Sequence, residues 1–450
     1  MKLNREILRL AVPSILAGIT VPLVGMVDLA VVGHLDGEGG FAAATALGGI
    51  AIGTTIFDLV YWCFGFLRAG TGGVTAQAFG RGDTHGQAQA LARSLGIALA
   101  AGLILIALQW VIFNAAFLVI KCTPEVELLA KKYFYIRIWA APATISLFAL
   151  RGWFIGMQNS VHSMATDLIV NLVNIVFSVL LGFGIWFFPR MGFSGVAAGT
   201  VIAQWTGFFF ALAVVLLRYR KVFTGFDLRG TFKGGLRQYF SMNADLFVRS
   251  LGLIAVYVGF TVISARYGDL MLATSAIIMK LLMFFSYFID GFAYAGEALT
   301  GRFIGEKSLD GLHSTIRGVF RWSWALAVLF IGIYWLLGTP IFHLMTSDET
   351  VIAAGARFAP WLLAMPLIGC PAFVWDGIFI GATASRHLRN STVLCAIGFF
   401  AAWFIGIAVA GPGVSNETAI HILMGAYFIH LAIRALYLTL MYKNTIRIWT

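Results

Sequence analysis

The chain has 450 residues, of which 60% are hydrophobic and 11% are charged, whereas a soluble domain carries about 25% charged residues. With a mean hydropathy of +0.88, this excludes an ordinary soluble globular protein and an intrinsically disordered one. A membrane helix uses roughly 20 apolar residues, so twelve would use about 240 and leave short loops with no soluble domain.

The N-terminus, MKLNREILRL, is basic and runs into an apolar stretch from Ile7 to Leu35. That stretch is too long for a signal-peptide core and reads as a retained first membrane helix. It contains Pro13, Pro22 and Asp28. Further apolar runs predict helices over 41–67, 88–120, 127–156, 163–188 and 193–218. The longest loop follows, RYRKVFTGFDLRGTFKGGLR from 218 to 237. Its centre, 223–236, reads as a cytoplasmic linker between an N-terminal lobe (1–222) and a C-terminal lobe (237–450). Its basicity suits it to anionic lipid. Six more helices are predicted over 237–265, 270–303, 314–345, 350–380, 390–411 and 416–441. The expected fold class is an all-α membrane protein of twelve helices.

The net charge of +11 follows the positive-inside rule and does not point to nucleic acid. Seventeen Lys and Arg residues fall on the side of the termini and five (Lys121, Lys131, Lys132, Arg190, Arg266) on the other. Both termini are therefore expected in the cytoplasm. The cysteines, Cys63, Cys122, Cys370 and Cys395, show no metal-type spacing and read as packing residues.

The halves match at a nearly constant offset. Gly65-Phe66 and Gly70 correspond to Gly291-Phe292 and Gly296, at offset 226. Gly152-Trp-Phe-Ile-Gly156 corresponds to Gly377-Ile-Phe-Ile-Gly381 at offset 225, as do Ser160 and His162 to Ser385 and His387. Six helices per half give a parallel repeat, with a pseudo-two-fold axis along the membrane normal. Two such bundles enclosing a cleft, rocking to open it to each side in turn, are the geometry expected of a secondary transporter. GxxxG spacing at Gly152/Gly156, Gly377/Gly381 and Gly301/Gly305 permits close helix packing.

These segments resemble a known family. VPLVGMVDLAVVGHL (21–35) is similar to the first helix of MATE transporters, the multidrug and toxic compound extrusion family. GFLRAGTGGVTAQAFGRGD (65–83), DGFAYAGEALTGRFIG (290–305) and WDGIFIGATAS (375–385) resemble its DinF-type branch. The resemblance implies a two-lobed exporter of amphipathic, often cationic compounds, driven by H⁺ or Na⁺, with no cofactor. It also implies a monomer in the lipid bilayer, here the bacterial inner membrane.

An ionisable residue inside a membrane helix is a functional candidate. For Asp28 a neutral, protonated form is within reach, so it can carry a proton between the two sides. Pro13 and Pro22 permit the helix to bend, and protonation of Asp28 is expected to change that bend. Asn171, Asn174 and Ser178 share one helical face and can hydrogen-bond a carboxyl in either protonation state. The family pattern often places an Asp where this chain has Ser178, which leaves Asp28 the sole acid of that network unless Asp58 faces the same cavity. Thr200 matches a family position lining this region. Asparagine, serine and threonine inside a membrane also serve as plain interhelical links.

In the C-lobe, Lys280, Tyr287, Asp290, Tyr294 and Glu297 recur as one polar stripe, expected to face the bundle interior. Asp245 and Arg249 are spaced as an i,i+4 pair. Asp376 resembles a cation-binding Asp of sodium-driven relatives. Asp245, Glu297 and Asp376 are thus an alternative Na⁺ site, although H⁺ is expected first. By the repeat Asp376 mirrors Arg151, and an independent partner for each is expected. The competing reading is a lipid-linked precursor flippase, with a membrane enzyme behind it. There is no P-loop, HExxH or GxSxG motif.

Overall fold

The computed structural model describes residues 2–35, 43–226, 231, 234–338, 340–343 and 345–447. These residues form helices and no strand, and twelve spans are long and apolar enough to cross a membrane. The chain is thus an all-α, multi-pass membrane protein.

The first half contains α1 (Lys2–Gly33), α2 (Ala43–Trp62), α3 (Gly65–Gly80), α4 (Thr84–Ala107), α5 (Gln109–Val119), α6 (Pro124–Arg137), α7 (Ala141–Gly156), α8 (Ser160–Phe183) and α9 (Phe193–Arg218). The second contains α10 (Leu236–Ser264), α11 (Asp269–Gly305), α12 (Leu309–Leu337), the short α13 (Pro340–His343), α14 (Glu349–Gly381), α15 (Ser385–Ala410) and α16 (Asn416–Arg447). Helix α1 runs unbroken through Pro13 and Pro22, the side chain of Pro22 lying outside the described residues. So do Arg229 and Lys233 of the basic linker.

The span expected to end at 67 continues through α3 to Gly80. Its glycines, threonines and alanines lower the hydropathy, but they are the face it buries: Thr71, Gly72, Gly73, Thr75 and Ala76 are all buried. The run expected over 88–120 breaks at Leu108 into α4 and α5. The run over 127–156 is interrupted by a 3₁₀ turn, Ile138–Ala140, ahead of Pro142. Proline has no N–H with which to continue the α-helical ladder there.

The chain divides into two compact units, Leu16–Leu236 and Met1–Ile15 with Arg237–Thr450. Within each, the same packing recurs. In the first, Gly152 of α7 lies against the Arg68 backbone of α3, and Gly156 against Gly72 and Ala76. In the second, Gly377 of α14 lies against Ala293 of α11, and Gly381 against Glu297 and Gly301. Every residue in this set has its counterpart 225 positions on. A methyl on Gly156 would sit 2.7 Å from the Gly72 carbonyl oxygen, so the GxxxG spacing is what lets these backbones touch.

The turns repeat as well. After α3, the amides of Arg81, Gly82 and Asp83 bond back to the carbonyls of Gln77, Phe79 and Ala78. After α11, Glu306, Lys307 and Ser308 do the same to Arg302, Ile304 and Phe303. Asp83 then caps α4 by accepting from the Gly86 amide at 2.8 Å, and Ser308 caps α12 by accepting from Gly311 at 3.3 Å. Both turns close through a left-handed residue, Gly82 at φ +67° and Lys307 at φ +55°.

Candidate functional site

In the first unit the polar residues converge where α1, α8 and α9 meet. Gly199 lets α9 come close, since a methyl there would stand 2.7 Å from the Ser178 backbone nitrogen. That approach brings Thr200 to Asn174, whose Nδ2 donates to Thr200 Oγ1 at 3.0 Å. One turn along α8, Ser178 Oγ donates to Asp28 Oδ1 at 3.1 Å. Asn174 also reaches the Asp28 carboxyl, and Asp28 is only 9% exposed. Asn171 takes a different partner on α1, with Nδ2 donating to Thr20 Oγ1 at 2.6 Å. Asp28, Asn174, Ser178 and Thr200 therefore form one hydrogen-bonded group, and Asn171 ties α8 to α1 two turns away.

The sequence reading passed over Arg137 and Thr20. Arg137 ends α6, beside the 3₁₀ interruption. Its Nη1 donates to Tyr133 OH at 2.9 Å and to Thr54 Oγ1 at 3.4 Å. Its guanidinium lies over the rings of Phe57 and Tyr133, at 5.0 and 5.5 Å. Its charge reaches both Asp28 and Asp58. The signal was present: an arginine in the middle of an apolar run meets the same criterion that singled out Asp28.

In the second unit Asp376 of α14 lies between two arginines. Arg249 of α10 donates to Oδ2 at 2.5 Å. Arg434 of α16 engages both oxygens, with Nε to Oδ1 at 3.0 Å and Nη2 to Oδ2. Arg434 also lies over the Phe373 ring at 5.2 Å. The i,i+4 pairing of Asp245 with Arg249 is not formed. Asp245 accepts from Arg389 at 2.6 Å and from Ser385 Oγ at 2.8 Å. Residues four apart share a helix face, but here Arg249 is taken by Asp376 of α14 and Asp245 by Ser385 and Arg389 of α15. Arg434 and Arg389 were likewise passed over.

The polar stripe of α11 is not uniformly inward. Glu297 is fully buried and Asp290 half-buried, while Lys280 is exposed. Asp290 sits within electrostatic reach of Arg434. Asp245 and Asp376 are held by different arginines, and among the described residues no three His, Cys, Asp or Glu side chains come together to hold a metal. Arg151 and Asp376, related by the repeat, each have their own partner: Arg151 Nε lies 2.6 Å from Asp167 Oδ1.

Comparison with known proteins adds to this geometry. The family model described as MatE matches residues 13–180 and 246–407. DNA damage-inducible protein F of Escherichia coli K12 is 34% identical over 398 residues, covering 88% of this chain and 84% of that protein. A probable multidrug resistance protein NorM of Rhizobium meliloti is 24% identical over 432 residues, covering 91% and 88%. The fold is similar to a crystal structure of MATE in the straight conformation, with a TM-score of 0.84 at 15% identity over 99% of this chain and 97% of that one. An outward-facing multidrug resistance MATE family transporter of the MOP superfamily superposes with a TM-score of 0.84 at 16% identity, covering 98% and 96%.

Proposed function

The chain belongs to the MatE family of multidrug and toxic-compound efflux transporters, and from that premise we propose that it exports amphipathic, often cationic small molecules in exchange for H⁺ by alternating access. It is a transporter and not an enzyme. The observation that carries the proton reading is the buried Asp28 carboxyl, met by the Ser178 hydroxyl with the Asn174 amide in reach. A hydroxyl and an amide serve the charged and the neutral carboxyl alike. The group can therefore gain and lose a proton without leaving a buried charge stranded. Asn171 and Thr20 hold α8 against α1 two turns from it, so a change of bend in α1 at Pro13 or Pro22 would be felt at Asn171 as well.

H⁺ is favoured over Na⁺ by what surrounds the other acids. Na⁺ takes hard oxygen ligands, and the oxygens of Asp376 and Asp245 already accept from Arg249, Arg434 and Arg389. Fixed guanidinium groups stand where a Na⁺ at Asp245, Glu297 and Asp376 would need its charge. In this reading the protein works as a monomer in the bacterial inner membrane. Both termini are cytoplasmic, and 223–236 links lobes 1–222 and 237–450.

The test is reconstitution in liposomes with a fluorescent lipophilic cation, under a pH gradient and then a Na⁺ gradient. Wild-type protein should respond to the pH gradient, Asp28→Asn should lose that response, and Asp376→Asn should leave the Na⁺ dependence unchanged. Proton-driven efflux by Asp28→Asn at the wild-type rate would refute the coupling role of Asp28.

A further inference from the structure

We propose that the exposed face of α12 binds the phosphate of an anionic phospholipid through Arg317 and Arg321. Binding of this kind is independent of which ions or substrates the protein moves.

Arg317 and Arg321 lie inside the span Leu309–Leu337, and both are exposed. A charge within a span is costly unless something answers it. Arg249, Arg389 and Arg434 each meet a carboxylate, whereas Arg317 and Arg321 make no ion pair or side-chain hydrogen bond among the described residues. The charge of Arg317 reaches the phenol of Tyr442 on α16, which is neutral at pH 7 and leaves it uncompensated. The side of α12 turned to the rest of its unit carries Leu312, Ile316, Val319 and Ser323, so the two arginines point away from it.

They sit one turn apart, close enough for both guanidinium groups to reach one phosphate. Helix side chains tilt toward the N-terminus, so both lean toward the start of α12, where head groups lie. Further along this face the stripe turns apolar: Trp324, Val328 and Trp335 are 39%, 66% and 72% exposed. Trp335 stands 18 residues beyond Arg317, about 27 Å along the axis. The hydrocarbon layer is ~30 Å thick, and tryptophan collects at its boundaries. A face with arginine at one boundary, tryptophan at the other and apolar residues between them is matched to lipid. The one acid of α12, Asp310, is exposed seven residues before Arg317, about 10 Å nearer the water. Two positive charges with no carboxylate between them favour an anionic head group over a zwitterionic one, whose ammonium they repel. In the orientation proposed above, the leaflet is the cytoplasmic one.

Trp324, one turn deeper than Arg321, reports occupancy. Full-length protein in detergent is titrated with phosphatidylglycerol or phosphatidylcholine brominated in the acyl chains, and the readout is the part of the fluorescence quenching that Trp324→Phe removes. Phosphatidylglycerol should half-quench wild type at a lower concentration than phosphatidylcholine. Arg317→Gln with Arg321→Gln should raise the phosphatidylglycerol concentration needed roughly thirtyfold, and each single variant about fivefold. The single variants supply the test if the double variant does not fold. Arg386→Gln, which removes another exposed charge at the start of α15, should leave the curve unchanged, and excess inorganic phosphate should not displace the lipid. An unshifted curve in the folded arginine variants, an equal shift in Arg386→Gln, relief of quenching by inorganic phosphate, or a Trp324 signal that neither lipid quenches overturns the proposal.

Discussion

Two buried aspartates of this chain lie in opposite surroundings. Asp376 receives hydrogen bonds from two guanidinium groups, one of them engaging both of its oxygens. Asp28 receives a hydroxyl, with an amide in reach. Loss of one partner from a buried ion pair costs about 3–5 kcal/mol, because the remaining charge is left desolvated. Arg434→Ala should therefore lower stability by part of that, since Arg249 still donates to Oδ2 while Oδ1 loses its partner, seen as a lower Tm in detergent. Arg249→Ala should cost less, since Arg434 still covers the carboxylate. Asp28→Asn should barely move Tm, because the amide oxygen accepts from Ser178 as the carboxylate did. A large loss of Tm in Asp28→Asn would mark that residue as structural. The sequence exposed each of these acids, because a charge in an apolar run is visible without a structure. For Asp28 it named Ser178 and Asn174, but for Asp376 it named neither arginine as a partner. Arg434 lies 58 positions from Asp376, and only the rotation of α16 about its axis brings the two together. The i,i+4 spacing of Asp245 and Arg249 suggested a local pair, and packing gave each a distant partner.

At the scale of the element, hydropathy located the helices and glycine spacing located their contacts. Helix α3 shows why the two signals must be read together. Its buried face is glycine, threonine and alanine, which lower the hydropathy that a window measures while allowing the closest backbone approach. The GxxxG pairs were legible as packing motifs, and the structure seats Gly152/Gly156 and Gly377/Gly381 against partners related by the repeat. The turn geometry was not legible, because the repeat keeps the conformation and changes the residue. Gly82 and Lys307 take the same left-handed conformation, which is free of strain for glycine and costs other residues roughly 1–2 kcal/mol. Lys307 is exposed, so Lys307→Gly should raise stability by about 0.5–1 kcal/mol after the greater chain entropy of glycine is discounted. Gly82→Ala should lower it by about 1 kcal/mol, although nothing crowds that position. Thermal unfolding of the two variants should give shifts of opposite sign. Shifts of the same sign would mean that the two turns are not equivalent.

For the whole molecule, class, span number and the proposed orientation follow from quantities that are local in the sequence, namely apolar run lengths and the side on which Lys and Arg collect. How side chains meet across helices is set by packing, which is why the acids were found and their pairing with arginines on other helices was not. Orientation has a reporter built into the chain. Cys122 lies between α5 and α6, outside the spans, while Cys370 and Cys395 are buried and Cys63 sits half-buried within the second span. With both termini in the cytoplasm, the segment between the third and fourth spans faces outward. A membrane-impermeant maleimide added to spheroplasts should then label Cys122, and Cys122→Ser should abolish the signal. The pH dependence follows from the surroundings of the thiol. Desolvation, and then the Glu127 carboxylate, hold the Cys122 thiol above its usual range. The thiolate is the form that reacts, so labelling at neutral pH should be slower than for a free thiol. It should climb about tenfold per pH unit until the thiol titrates. Glu127→Gln removes the second cause and should shift that rise toward lower pH. Labelling that appears only after the membrane is permeabilised would invert the topology and move the cytoplasmic assignment to the opposite set of loops.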